Sequence, residues 1–401
     1  MQHSQKKASS KFIFFTIFID MLGIGLMIPV FPDVIRRFSS DPKFVNEYFG
    51  YFISIYALMQ FLASPVLGSL SDKFGRRPIL LVSLLCAGLD YILMAFANTL
   101  PLLFIGRVIS GLTGASQTVA TSYMSDVSDD SNRSANFGMI GAAFGLGFIL
   151  GPAIGGLLGH ISPKAPFVAA AIMNLANFAF GFFVLPESLP VSKRRDITLS
   201  KLNPFKSVFK ILTESKFMVL IWIHALIYLS GSVHPANWTL YTEFKFGWTS
   251  AQVGASLAFV GICVAFVQGY LTRKLIPRMG ERNAVKFGLS MYLICLALYA
   301  FASQPWMMYA ITSVFALSGL AGPSLQSLIS KQVPMDFQGE LQGSLTAITS
   351  LAAVISPILY SNLFNHYTTG AVYFPGAAYA MASLISGVAL TLFVLNERKR
   401  T

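Results

Sequence analysis

The chain has 401 residues, of which 54% are hydrophobic and only 11% charged, against roughly 25% charged in soluble domains. That composition excludes a water-soluble globular domain. The net charge of +12 invites a nucleic-acid partner, but its distribution along the chain points instead to membrane orientation.

Apolar runs of membrane-spanning length recur from end to end, so the expected fold class is an all-α membrane protein with 12 transmembrane helices in two six-helix halves. The first six spans are placed near 12–31, 48–68, 79–97, 101–123, 136–158 and 165–185. The second six are placed near 217–238, 251–272, 284–302, 305–329, 341–364 and 373–395. The expected domains are residues 1–187, a cytoplasmic linker 188–215, and residues 216–401. The basic lead Lys6, Lys7 and Lys11 precedes a run of full span length without a small-residue cleavage site, so span 1 reads as a retained helix.

Span 1, "FFTIFIDMLGIGLMIPVFP", carries Asp20 inside a run otherwise suited to lipid. After span 2 comes "GSLSDKFGRRP", read as a cytoplasmic loop with Asp72, Arg76 and Arg77. There Asp72 is expected to accept from a neighbouring helix N-terminus and Arg76 to pair with another helix end, holding one access state; a solvated topogenic loop is the other reading. Span 3 holds Asp90 and span 4 holds Arg107, and these two with Asp20 are the deeply placed charges of the N-terminal half. Intramembrane charges are costly and point to a cavity or a partner; a fixed ion pair that only locks helices is the competing reading. At a rise of about 1.5 Å per residue, Asp20 lies about 12 Å from the cytoplasmic edge, Asp90 about 16 Å and Arg107 about 21 Å. Depth thus pairs Arg107 with Asp90 and gives Asp20 the proton-carrying role. Arg107, Gly111, Gly114, Gln117, Thr118 and Thr121 share one stripe of span 4, suited to close packing or to a polar path. Span 5, "GLGFILGPAIGG", repeats Gly147, Gly151 and Gly155 every fourth residue around Pro152, which suits helix packing first and a hinge second.

The C-terminal half has no acidic or basic side chain deep in a span; its polar candidates are His224, Asn237, Gln268 and Gln326. His224 is a candidate for titration near neutral pH, and Trp238, Tyr241 and Tyr292 are candidate cavity liners. His234 is the other span-7 histidine. "GYLTRKLIPRMGER" after span 8 echoes the loop after span 2, with Arg273 where the first copy has Asp72. Cys86, Cys263 and Cys295 all fall within spans, so neither a disulfide framework nor a metal site is expected, and no cofactor.

With a cytoplasmic N-terminus, the cytoplasmic segments hold 23 Lys and Arg residues and the opposite side 5. Both termini are therefore expected in the cytoplasm. Basic residues come next to anionic lipid only as a secondary contact.

These stretches carry a resemblance. "GSLSDKFGRRP" resembles the loop signature of the major facilitator superfamily, "GLGFILGPAIGG" its span-5 drug/proton antiporter signature, and "RVISG" its span-4 arginine motif. "IDMLGIGLMIPVFP", "YALMQ", "SDKFGRRPILLVSLLCAGLDY" and "TEFKFGW" resemble the bacterial tetracycline-resistance efflux family. The resemblance implies the major facilitator fold and export of a drug-like molecule in exchange for protons, with Asp20, Asp72, Arg76, Asp90 and Arg107 at transport positions and Gln60 facing the pathway. In that family the substrate is a divalent-metal chelate of tetracycline. The family's span-8 histidine and span-9 aspartate are Val264 and Tyr292 here, which counts against tetracycline itself.

The expected function is a secondary active transporter, a proton-coupled antiporter exporting small amphipathic organic compounds by alternating access. An importer or facilitator of a metabolite or metal chelate is the alternative, and a transporter-fold receptor a lesser one. No nucleophile–base pair or metal constellation suggests an enzyme. The expected partners are a small-molecule substrate, protons and membrane lipid, not nucleic acid, for a monomer in a bacterial inner membrane.

Overall fold

The computed structural model describes residues 2–114, 116–128, 133–194, 218–332 and 338–398. Most of the expected linker 188–215 lies outside the described residues. The described residues form helices and connections, with no strand among them.

The N-terminal helices are α1 (Gln2–Met27), the short α2 (Phe31–Arg36), α3 (Pro42–Phe74), α4 (Arg76–Phe96), α5 (Leu100–Gly114), α6 (Ser116–Val127), α7 (Arg133–Ile161) and α8 (Ala165–Val184). A second series follows: α9 (Met218–Gly231), α10 (Val233–Phe246), α11 (Ser250–Phe266), α12 (Thr272–Met279) and α13 (Glu281–Phe301). It ends with α14 (Pro305–Phe315), α15 (Ala321–Ser330), α16 (Gln338–Thr369) and α17 (Ala377–Arg398). Eleven stretches among the described residues are long and apolar enough to cross a membrane. The remaining predicted span, the fourth, corresponds to α5 and α6, which are separated only by Ala115, outside the described residues.

Several helices run past the predicted apolar edges because nothing in the sequence stops them there. α3 continues through Asp72 to Phe74, so the expected loop is the end of one helix and the start of the next. Gly75 alone divides them, at φ 105° and ψ 156°, a conformation open to glycine and strained for a side chain. The echo after span 8 behaves alike: α12 occupies the expected loop and Gly280, at φ 77° and ψ 153°, leads into α13. Span 7 is broken at Ser232 into α9 and α10, and span 8 carries a π turn over Val267–Leu271.

The chain divides into two compact units. One comprises Met1–Ser39, Ile55–Pro204 and Thr249–Ala258; the other comprises Ser40–Ser54, Phe205–Trp248 and Phe259–Thr401. In the first unit α1 packs chiefly on α7 and α4 on α8. Its core includes Phe12, Ile17, Leu84, Tyr123 and Met124. In the second, α13 and α9 pack on α17 around Leu220, Leu289, Leu325 and Phe393. Spans 3 and 6 thus meet as spans 9 and 12 do, a repeat at the level of packing. Exposed apolar side chains on the spans, such as Phe96, Ile172, Phe183 and Phe301, fit contact with lipid.

Candidate functional site

The helices of the first unit bring polar side chains to one small cavity of about 20 Å³. It is lined by Asp20 from α1, Tyr56 from α3, Asp90 and Tyr91 from α4, Ser110, Thr113 and Gly114 from α5, Gln117 from α6 and Asn174 from α8. The sequence candidates Asp20, Asp90 and Gln117 therefore share one site.

Asp90 is 2% exposed and accepts a hydrogen bond from the Ser110 hydroxyl through Oδ2. Its Oδ1 has no hydrogen-bond partner. The expected Arg107–Asp90 ion pair gives way to a different arrangement. Arg107 is buried with its guanidinium 4.6 Å from the ring centre of Tyr56 and 5.2 Å from that of Phe31. Depth along a span is one coordinate only; the direction of the long arginine side chain around α5 decides what it meets. The cation sits on π faces beside the cavity, where desolvation strengthens such a contact.

Close helix approach makes this geometry possible. A Cβ on Gly106 would lie 3.2 Å from Asp90 Oδ1, and one on Gly111 would lie 2.6 Å from Met59 Cβ. Gln60 donates from Nε2 to the Gly114 carbonyl at 3.3 Å. Gln117 Nε2 faces Met21 Sδ at 3.9 Å, and Thr121 returns its hydroxyl to the Gln117 carbonyl at 2.8 Å. The glycine row of α7 packs on α1: a Cβ on Gly151 would lie 2.8 Å from Gly25 Cα, Gly147 meets Met21 and Gly155 meets Leu26. Pro152 lies within α7 against Gly25.

At the junction of α3 and α4 Arg76 joins three helices. Its Nη1 bonds Asp72 Oδ1 at 2.7 Å and Ser71 Oγ at 2.6 Å, and its Nε reaches Asp126 Oδ2 at 3.1 Å. The carboxylate at the N-terminus of α4 is that of Glu187 rather than Asp72. It accepts the backbone N–H of Arg76 at 2.9 Å and that of Arg77 at 3.3 Å. Anions are favoured there because the first turn of a helix leaves its N–H groups without partners. Arg77 in turn donates to the Phe182 carbonyl at 2.7 Å.

In the second unit His224 is 3% exposed, with Nε2 3.3 Å from Thr349 Oγ1 and its ring 4.6 Å from that of Tyr228. Trp238 and Tyr241 are almost fully buried in an aromatic cluster with His234, Tyr299, Phe315 and Tyr379. Tyr241 donates to the Tyr299 carbonyl at 2.7 Å. Asn237 is fully buried and neither amide atom has a partner. Tyr292 packs edge-on to Phe315 at 5.3 Å. Gln268 sits on the π turn and is exposed, while Gln326 lies on α15, half-buried. No group of three or more metal-ligating side chains occurs among the described residues.

Sequence reasoning missed Tyr56, Tyr91, Ser110, Asn174, Asp126 and Glu187. A search of the spans for every polar side chain, rather than for charges, would have raised Asn174.

Residues 13–357 match the family model described as Major Facilitator Superfamily. The chain is 39% identical over 385 residues to the tetracycline resistance protein, class C, of Escherichia coli, covering 96% of this chain and 95% of that protein. It is 38% identical over 359 residues to the class B protein of Escherichia coli, covering 90% and 89%. The crystal structure of the nucleoside transporter NupG superposes with a TM-score of 0.76 at 14% identity, over 96% of this chain and 98% of that one, a likeness of fold alone.

Proposed function

We propose, for a chain that belongs to the major facilitator superfamily in the branch of the tetracycline resistance proteins, the export of small amphipathic organic compounds in exchange for protons. The observation that carries the coupling half of this reading is the shared cavity of Asp20 and Asp90 beside Arg107. Two carboxyl groups in a membrane interior are costly as anions, so a site that gains and loses a proton there is tied to access from each side. Alternating access supplies that change of side.

Within this reading Asp72, Arg76 and Arg77 hold the cytoplasmic gate of one state, and the row Gly147, Gly151, Pro152 and Gly155 gives α7 its sliding face on α1. Gln60, Gln117, Asn237, Trp238, Tyr241, Gln268, Tyr292 and Gln326 are the residues proposed to meet substrate, with His224 as the coupling group of the C-terminal half. We place the protein in a bacterial inner membrane with both termini cytoplasmic, since 23 Lys and Arg residues then fall on the cytoplasmic side and 5 opposite. Val264 and Tyr292 replace charged positions of the resembled family, which favours a substrate other than tetracycline.

The test is flux in sealed proteoliposomes with an imposed proton gradient. Proton release on adding a compound, with counter-movement of that compound, supports antiport. Accumulation without proton dependence would identify a facilitator and end the coupling reading. Tetracycline with and without a divalent cation belongs in the compound set, and its transport would end the argument from Val264 and Tyr292.

A further inference from the structure

Asn174 has no place in the coupling scheme above, yet its environment gives it one. It lies on α8, which packs against both α1 and α4. It is 1% exposed and lines the same cavity as Asp20 and Asp90. Its Nδ2 already donates to the Ala170 carbonyl at 3.0 Å, so the amide is oriented with its oxygen toward other partners. That Oδ1 has no hydrogen-bond partner, nor have Asp90 Oδ1 and the Tyr56 hydroxyl. Three orphaned oxygens from three helices thus border one cavity of about 20 Å³.

The free volume suits one water molecule, and a buried water needs two to four polar partners. A water donating to Asp90 Oδ1 and Asn174 Oδ1, and accepting from the Tyr56 hydroxyl and from a protonated Asp20 carboxyl, satisfies all three groups and joins the two carboxyls. We propose that Asn174 positions a single bridging water between Asp20 and Asp90, and that the coupling proton passes between the two carboxyl groups through it. In the transfer, the protonated carboxyl gives its hydrogen to the water oxygen while the water releases one of its own to the other carboxylate. One O–H bond breaks and one forms at each end, the water is regenerated and the net charge is unchanged. The titratable groups around the relay are Asp20 from α1, Tyr56 from α3, Asp90 and Tyr91 from α4 and Arg107 from α5. α6 and α8 contribute only the neutral amides of Gln117 and Asn174 to it. The relay rests on the proton-coupling reading of the preceding subsection.

The test separates proton movement from substrate movement in proteoliposomes. Asn174→Leu removes the amide at similar volume. Its proton-driven flux is expected to fall about tenfold, on the order of one buried hydrogen bond, with an altered pH profile. Substrate KM and counterflow, the exchange of labelled for unlabelled substrate without net proton transfer, are expected to stay at wild-type values. Tyr56→Phe removes a different partner of the same water while keeping the ring under Arg107, and the same split is expected; it stands in if the leucine variant does not fold. Equal loss of both fluxes, or loss of neither, overturns the relay. A wild type whose flux ignores the proton gradient overturns the coupling reading itself, and the relay with it.

Discussion

Asp90 takes a hydroxyl rather than a guanidinium as its hydrogen-bond donor, because Ser110 and Arg107 stand three residues apart on α5 and the arginine extends away over Tyr56. Its carboxyl therefore lacks a fixed counter-charge in direct contact, which suits gain and loss of a proton better than a locked ion pair would. Asp90→Asn keeps the shape and an acceptor for Ser110 but cannot carry a proton. It is expected to abolish proton-driven flux while leaving thermal unfolding in detergent near wild type, and retained proton-driven flux would remove Asp90 from the coupling set. Ser110→Ala is expected to weaken the same flux about tenfold by deleting a hydrogen bond to that carboxyl. Asp20, Asp90 and Arg107 were legible in the sequence because a charge in an apolar run is conspicuous. Tyr56 and Ser110 were not, since such residues are ordinary in spans and only packing shows which of them meet, and Asn174 is visible only to a search for every polar side chain in a span. Glu187 escaped for another reason: it caps the start of a helix 111 residues earlier in the chain.

The helices themselves were largely legible, because spans are set by apolar length and the structure places one at eleven of the twelve predicted sites, with α5 and α6 at the fourth. Their ends were less so. Polar residues such as Asp72 and Lys73 mark the membrane edge but do not stop a helix; Gly75 and Gly280 do, by leaving helical dihedral angles. The weak echo between the two halves is thus a shared turn carrying opposite charges. Arg76 opens α4 and pairs with Asp126 at 3.1 Å, whereas Glu281 opens α13 and pairs with Lys331 at 2.7 Å. The glycine row of α7 carries a prediction at this scale. A side chain on Gly151 meets the backbone of α1, with Gly25 Cα at 2.8 Å and the Leu22 carbonyl at 2.9 Å. Backbone yields less readily than a flexible side chain, so Gly151→Val is expected to destabilise the protein by about 1–3 kcal/mol, the usual cost of overpacking. Gly141, earlier on the same helix, has nothing within 4 Å of an added Cβ, and Gly141→Ala is the control expected not to lower the melting temperature. If both variants melt alike, the row does not act through packing.

The two compact units do not coincide with the two halves of the sequence. Ser40–Ser54, the first part of α3, belongs with the second unit, and Thr249–Ala258, the first part of α11, belongs with the first. The contacts responsible are specific. Asn365 on α16 donates to Glu47 Oε1 at 3.1 Å, and Gly50 lies against Ser361 and the Pro357 carbonyl. Gly254 on α11 lies in the same way against the Pro152 carbonyl of α7. No pattern within either half announces these exchanges, because each contact joins residues some hundreds of positions apart or at opposite ends of the linker. In the orientation proposed above from the charge asymmetry, Glu47 and Asn365 both lie toward the non-cytoplasmic side. A transporter that opens to that side must part helices which close it, so a contact tying the start of α3 to α16 has to break once per cycle. The consequence is testable with Glu47→Cys and Asn365→Cys together, in a background with Cys86, Cys263 and Cys295 replaced. A short, reducible thiol cross-linker is expected to join the pair and abolish flux, and reduction to restore it. Neither single variant is expected to respond to the reagent. Full transport by the cross-linked protein would mean that this contact persists through the cycle, and that the pathway opens without moving α3 away from α16.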